Sequence, residues 1–232
     1  MIYYTIAGKT DGFGAQYQAI MSGIAFCASK NYTYIHTPFD KIEHDVDVTK
    51  LNKFIGIHTD ISMNENDSIT TQQYAKEVHC HPYPSIYYTP EVINIIRTYY
   101  YSTEKPTVGP IDIAIHIRRG DVNITSHQIR YTTNILYKKI IGALKKKYPN
   151  YTITIFSEGD INDFRDLGLN IANFKLNTDI CETFHSLVSA KILVMAKSSF
   201  SYASAILNKN IIYYENFWHK PLNNWLNINS LI

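Results

Sequence analysis

The sequence predicts an α/β protein of two Rossmann-like halves, the first reduced and irregular, the second regular. Three observations carry this expectation. The chain opens strand, glycine loop, helix, strand. The stretch Ser102-Thr-Glu-Lys-Pro-Thr-Val-Gly-Pro110 then interrupts the pattern with two prolines and a glycine. Beyond it, short apolar runs alternate with segments of helical spacing, the order that builds a parallel sheet. The halves are therefore expected at 1–105 and 106–232.

Residues 2–7 alternate in the manner of a first strand, and Gly8-Lys-Thr-Asp-Gly12 forms the turn after it. Phe13, Tyr17, Ile20, Met21, Ile24 and Ala28 then recur at three- and four-residue spacing, which predicts an amphipathic helix that Asn31 stops. A second strand is expected over 32–37. Residues 38–80 are weakly patterned, with apolar clusters around 51–57. Two prolines make His79-Cys-His-Pro-Tyr-Pro84 a loop. Residues 91–101 have helical spacing.

In the second half, the run Ile111, Ile113, Ile115, Ile117 predicts a strand entering a buried sheet. A helix is expected over 133–147, with Leu136, Ile140, Ala143 and Leu144 inward and lysines outward. Then follow a strand at 151–156, a short helix closed by Gly168, a strand near 171–176 and a helix at 181–190. Strand 192–195, helix 200–207 and strand 211–214 complete the pattern.

The composition excludes several classes. An apolar share of 45% is that of a globular chain. A net charge of +2 gives no general grip on polyanions, so no nucleic-acid partner is expected, but it allows one small basic pocket. The 19 tyrosines accompany abundant Asn, Ile and Lys and read as a compositional bias, not as a binding surface. Cys27, Cys80 and Cys181 are odd in number and widely spaced, so free thiols are expected, not a disulfide framework. Four Asn-x-Ser/Thr matches are discounted in a chain this rich in Asn and Thr. No run approaches the ~20 apolar residues of a membrane span, and the chain opens on a strand instead of a signal peptide. A cytoplasmic location is expected.

The chemistry gathers at predicted strand ends, where ligands of open α/β sheets bind. His116-Ile-Arg-Arg-Gly-Asp121 follows the first strand of the second half. Its two guanidinium forks suit a doubly charged phosphate, because each can donate two parallel hydrogen bonds; the alternative is a solvated strand end with an arginine salt bridge to Asp121. In an extended strand His116 and Arg118 share a face and Arg119 does not. Arg119 is therefore expected to turn toward Asp121 or the interdomain loop. Arg119-Gly120-Asp121 also spells an adhesion tripeptide, but it abuts a buried strand. Ser157-Glu-Gly-Asp160 follows another strand, and Ser198-Ser-Phe-Ser201 follows a third and opens a helix, where hydroxyls and amides favour an anion. Gly12-Phe-Gly14 lies between the first strand and helix. A dinucleotide fingerprint wants a third glycine where Tyr17 stands. His79-Cys-His81 lacks a second cluster to complete four metal ligands, and Asp45-Val-Asp47 reads as surface. No metal is expected.

These motifs resemble the α1,2- and α1,6-fucosyltransferase superfamily. The specific match is His116-Ile-Arg-Arg-Gly-Asp121, similar to the family's His-x-Arg-Arg-Gly-Asp. Gly12-Phe-Gly-Ala-Gln16 resembles its Gly-x-Gly-Asn-Gln loop, with Ala15 at the asparagine. Phe156-Ser-Glu-Gly-Asp160 resembles Phe-Ser-Asp-Asp, and Ser198-Ser-Phe-Ser-Tyr202 resembles Ser-Ser-Phe-Ser-Trp. The resemblance implies a GT-B-like scaffold and inverting, metal-independent transfer of fucose from GDP-fucose to a glycan acceptor. It implies an acceptor-side first half and a donor-side second half. It also implies that Arg118 holds the β-phosphate, that His116 lies by the nucleoside and that a serine touches phosphate, with Ser199 the candidate. The expected donor contacts are Gly12, Phe13, Gly14, Gln16, His116, Arg118, Arg119, Ser157, Glu158, Ser198, Ser199 and Phe200. Arg118 and Asp121 are the expected catalytic residues. Asp121, His127 and Glu158 are the candidates for a general base. Another nucleotide-activated sugar, or a non-catalytic nucleotide-sugar or glycan-binding role, remains open, because a phosphate grip does not read the sugar.

Overall fold

In the computed structural model, which describes residues 2–43, 46–59 and 67–232, every strand pairing is parallel. The chain divides into two compact units. One comprises residues 1–105 with 219–223, the other 106–218 with 224–232. Residues 219–223 thus return to the first unit, a crossing that periodicity along the chain does not show. His219 meets the ring of His79 edge-on at 4.7 Å, and the Asn223 N–H donates to Ser85 Oγ at 2.8 Å.

The first unit is built around β1 (Ile2–Ile6) and α1 (Phe13–Lys30). Helix α1 is buried on nearly every side. Gly23 explains how it lies so close to the sheet: a Cβ there would stand 2.6 Å from Ile6 and 3.0 Å from Tyr34. Asn31 ends the helix in the left-handed conformation, φ 56°. Strand β2 is only Thr33–Tyr34, shorter than the expected 32–37.

The weakly patterned stretch holds two elements that its sequence hides. Helix α2 (Val48–Ile55) starts at Asp47, whose carboxylate accepts from Thr49 N–H at 2.9 Å and Lys50 N–H at 3.1 Å. Asp47 is thus a helix cap, and its neighbour Asp45 lies outside the described residues. Strand β3 (Ser68–Gln72) pairs with β1 opposite β2, yet all five of its side chains are exposed, so no alternation marks it. Helices α3 (Lys76–His79) and α4 (Pro90–Tyr101) follow.

The second unit contains β4 (Ile113–His116), α5 (Asn134–Lys147), β5 (Ile153–Ser157), β6 (Phe174–Leu176), α6 (Ile180–Ser189), β7 (Ile192–Val194), α7 (Ser199–Leu207), β8 (Ile211–Tyr214) and β9 (Leu226–Asn227). The expected helix before Gly168 is a 3₁₀ helix, Ile161–Leu167. Strand β9 is two residues long, too short for a periodic signal. The sheet order is β6-β5-β4-β7-β8-β9. The chain builds outward from β4 on one side and then from β7 on the other. The direction reverses between these two strands, which is where open parallel sheets form a crevice at their carboxyl ends.

Alternation sorts the two faces of β4. Ile113, Ile115 and Ile117 join Tyr137, Ile140, Ile141 and Leu144 of α5 in one core with Ile153, Ile155 and Val194. His116 faces the other way, toward Ser201 of α7. Among the described residues no helix is long and apolar enough to cross a membrane. The three cysteines are free thiols, Cys27 and Cys181 buried and Cys80 exposed.

Candidate functional site

The carboxyl ends of β4, β5, β7 and β8 bring most of the predicted residues of the second half to one edge of the sheet. The β4 ladder runs one residue past the strand, with the Ile117 N–H donating to Phe156 O at 2.9 Å. Ser157 Oγ then donates to Ile117 O at 2.7 Å and ties the end of β5 to the end of β4. Gly120 makes the turn that follows, at φ +76°. A Cβ there would meet Glu158 Oε2 at 2.4 Å, so the Glu158 carboxylate lies directly over the turn.

His116 is 6% exposed, and its Nδ1 lies 2.5 Å from Ser201 Oγ. Ser201 Oγ also accepts from the Ala196 N–H at 3.2 Å, so it joins β4 to the start of α7. The ring packs against Phe200 at 5.5 Å, and Phe200 meets Phe184 at 5.2 Å. Burial pushes the imidazole pKa down to about 3, and the Arg118 charge pushes the same way. His116 is therefore a neutral bridge between β4 and α7. Ser201 lies in the Ser198–Ser201 segment, but its pairing with a histidine 85 residues away had no local signal.

The two arginines differ sharply. Arg119 is 7% exposed and held by several partners. It donates to Arg118 O (2.9 Å), Thr132 O (3.0 Å) and Asn134 Oδ1 (2.7 Å), and its guanidinium lies 4.3 Å from the Tyr131 ring. It turns to the α5 side, not to Asp121. Arg118 is 23% exposed in its side chain and donates no hydrogen bond to any described group. Its one close partner is Asp121, with Nη2 2.7 Å from Oδ1. Asp121 thus pairs with Arg118 and not with Arg119.

Two more residues that sequence reasoning passed over complete the edge. Lys197, between β7 and α7, lies 3.0 Å from Glu215, just after β8. Glu215 accepts from Thr132 Oγ1 at 2.5 Å. Together with Arg119 they pin residues 131–134, the return of the loop that follows Arg118. Ser198 is the N-cap of α7; its Oγ accepts from the Phe200 N–H at 3.2 Å. Ser199 is the first residue of the helix, and no acidic residue stands in the first turn at its positive end. His127 is exposed, at φ 54°, in the loop between Asp121 and Tyr131.

The remaining predicted residues lie in the first unit. Gly12 is the N-cap of α1, with φ −63°, and a Cβ on it would meet nothing within 4 Å. Phe13, 2% exposed, packs on Tyr17, Phe39 and Phe54, and Gly14 is buried. Gln16 is 5% exposed and donates its amide to Asp11 O (2.6 Å) and Lys41 O (2.7 Å). These side chains build the loop from inside. Beside them a cleft of about 120 Å³ opens at the ends of β1 and β2, lined among others by Gly8, Lys9, Gln16, Thr37, Asp40 and Lys41. Among the described residues no group of three or more His, Cys, Asp or Glu is placed to hold a metal ion.

No protein-family model matches the chain, and no curated protein matches it. Among solved structures the chain is similar to E. coli heptosyltransferase WaaC with ADP-2-deoxy-2-fluoro heptose, at 12% identity and a TM-score of 0.43, covering 97% of this chain and 92% of that one. The same heptosyltransferase with ADP gives 12% identity, a TM-score of 0.44 and the same coverage. NodZ alpha-1,6-fucosyltransferase soaked with GDP-fucose gives 10% identity and a TM-score of 0.41, covering 88% of this chain and 92% of that one.

Proposed function

We propose that this chain is an inverting, metal-independent glycosyltransferase of GT-B-like design that transfers L-fucose from GDP-fucose to a glycan. The second, Rossmann-like unit takes the donor and the first takes the acceptor. One observation carries the reading. Arg118, at the carboxyl end of the central strand and next to the reversal of the sheet, is a partly exposed guanidinium whose close partner among the described residues is the Asp121 carboxylate, 2.7 Å from Nη2. A fork with five donors that meets one carboxylate oxygen has donors left for an anion with several oxygens. Departure of GDP builds charge on the β-phosphate. Fixed donors aimed there lower the barrier without a metal, and Arg118 with the start of α7 would supply them. Arg119 serves by fixing the loop. Asp121 and Glu158, both beside the Gly120 turn, and His127 further along the loop are the acids and base from which acceptor deprotonation would come. The choice of guanine and fucose rests on the motif likeness of His116–Asp121 alone.

A second reading, a non-catalytic nucleotide-sugar-binding protein, has its own support. Ala15 stands where the resembling loop has asparagine, and Gln16 spends its amide inside the loop. Ala15 has no polar group to offer a sugar, and both N–H groups of the Gln16 amide are already used.

A thermal-shift screen of GDP, UDP, CDP, ADP and their sugars tests the donor. GDP or GDP-fucose at a hundred times Kd is expected to stabilise the protein by about 2.7 kcal/mol. A response to UDP-sugars with none to guanine nucleotides would reject the assignment. Turnover of GDP-fucose, unaffected by EDTA, separates enzyme from binder. Loss in EDTA with recovery on adding a divalent ion would reject the metal-free mechanism.

A further inference from the structure

Asp121 sits against Arg118 without completing its hydrogen bonds. Arg118 Nη2 is 2.7 Å from Asp121 Oδ1, well within ion-pair distance. Yet Oδ1 is buried and accepts no properly aligned hydrogen bond. The pair is a charge contact, not the two-pronged arrangement that makes arginine–carboxylate pairs strong. The local chain explains the poor fit. Only two residues separate the partners, and Gly120 at φ +76° folds Asp121 back onto its neighbour. Both side chains remain partly exposed, 23% and 30%, so an incoming anion can reach the guanidinium. The contact is close enough to occupy the guanidinium and too poor to hold it against a better anion.

We infer that Asp121 sets the anion threshold of the donor site, as an internal carboxylate that every incoming anion must displace from Arg118. The inference rests on the reading of Arg118 as the phosphate holder. Its logic is that of a site open only part of the time. The apparent affinity of any ligand falls by the fraction of protein in the open form, whatever the ligand. A weakly held monodentate anion is thereby pushed out of the range of ordinary concentrations. A diphosphate offers several oxygens to the fork and more charge, and it absorbs the same penalty. Asp121 in this role sets affinity and not selectivity: it weakens the grip on every anion by one factor, so that only a ligand with several oxygens and more charge still fills the site at ordinary concentrations.

Binding of inorganic pyrophosphate and of sulfate, measured by titration calorimetry on the full chain, tests this. Four proteins are compared: wild type, Arg118→Ala, Asp121→Asn and Asp121→Ala. Thermal melts confirm that each is folded, and the two Asp121 variants guard against one failing to fold. Removing the carboxylate is expected to tighten pyrophosphate by about two- to fivefold, the range a partly exposed ion pair spans. Sulfate should tighten by the same factor, since the penalty belongs to the protein. Arg118→Ala should abolish both. If either Asp121 variant binds pyrophosphate as wild type does or more weakly while Arg118→Ala still abolishes it, Asp121 orients Arg118 and does not compete with ligand. The inference is then wrong and the donor site stands. If Arg118→Ala binds like wild type, or wild type binds no pyrophosphate, the donor-site reading falls and the inference with it.

Discussion

Replacing the two neighbouring arginines one at a time should separate grip from scaffold. Arg119→Ala removes three charged hydrogen bonds and a stack on Tyr131, and it leaves Thr132 O and Asn134 Oδ1 without those donors in a nearly dry setting. Hydrogen bonds to charged groups contribute about 1.5–3 kcal/mol each. They share one side chain and do not add, so about 3–5 kcal/mol is expected for the set. With a urea m-value of about 1–3 kcal/mol/M, the unfolding midpoint should fall by roughly 1–5 M. Arg118→Ala breaks one partly exposed ion pair, worth about 0–1 kcal/mol, so its midpoint should barely move. The functional losses should run the other way. Arg118→Ala should lose donor binding and about 10²–10³ in transfer rate. Arg118→Lys should recover little of it, because an ammonium cannot reproduce the fork. Arg119→Ala, assayed where it is still folded, should retain more. Urea melts and donor kinetics on the same preparations decide it. Equal destabilisation by the two alanines, or a larger loss of binding at Arg119, would refute the assignment of faces.

Two further outcomes follow from the same geometry. Gly120→Ala places a Cβ at φ +76° against Glu158, and the left-handed conformation alone should cost about 1–2 kcal/mol; a urea midpoint equal to wild type would show that the turn adapts. Acid should weaken the fold. Burial holds His116 and His219 near 3 and His36 and His79 near 4, all below their unfolded value of about 6.5. Such groups bind protons more readily once unfolded, so their stability is complete above about pH 6.5 and drains as the pH falls toward 3–4. Urea midpoints measured from pH 7.5 to 4.5 should decline, and His116→Gln should lessen the decline. A midpoint flat across that range would contradict the buried neutral histidines.

Much of the second unit was legible because its elements are long enough to repeat. Helix α5 shows its apolar stripe over fourteen residues and starts at Thr133, whose hydroxyl accepts from the Leu136 N–H at 3.3 Å. Strand β4 alternates cleanly because its odd positions fill one core and its even positions another. The first unit was harder to read for physical reasons. Helix α1 showed its apolar spacing and its stop at Asn31, but it is buried almost all round and not amphipathic as that spacing suggested. Strand β3 forms by backbone pairing with β1 and buries no side chain, so nothing in its side chains betrays it. Helix α2 announces itself mainly through Asp47, and a single capping aspartate is easily taken for surface charge.

At the candidate site the division falls between contacts made along the chain and contacts made across it. That His116 and Arg118 share a face and Arg119 leaves it follows from the strand's two-residue period. Where Arg119 goes does not follow from any period. Thr132 and Asn134 lie 13 and 15 residues on, at the far end of a loop whose return is set by Glu215, another 83 residues beyond Thr132. Glu215 and Lys197 are single charged residues at the ends of short strands, with no motif around them. They become meaningful only when β7 and β8 lie side by side and bring both to the loop that carries Arg118. The sequence could therefore separate the faces of Arg118 and Arg119, because the strand's register is local. It could not identify the residues that hold Arg119 and the loop in place, because each does its work through a partner far along the chain.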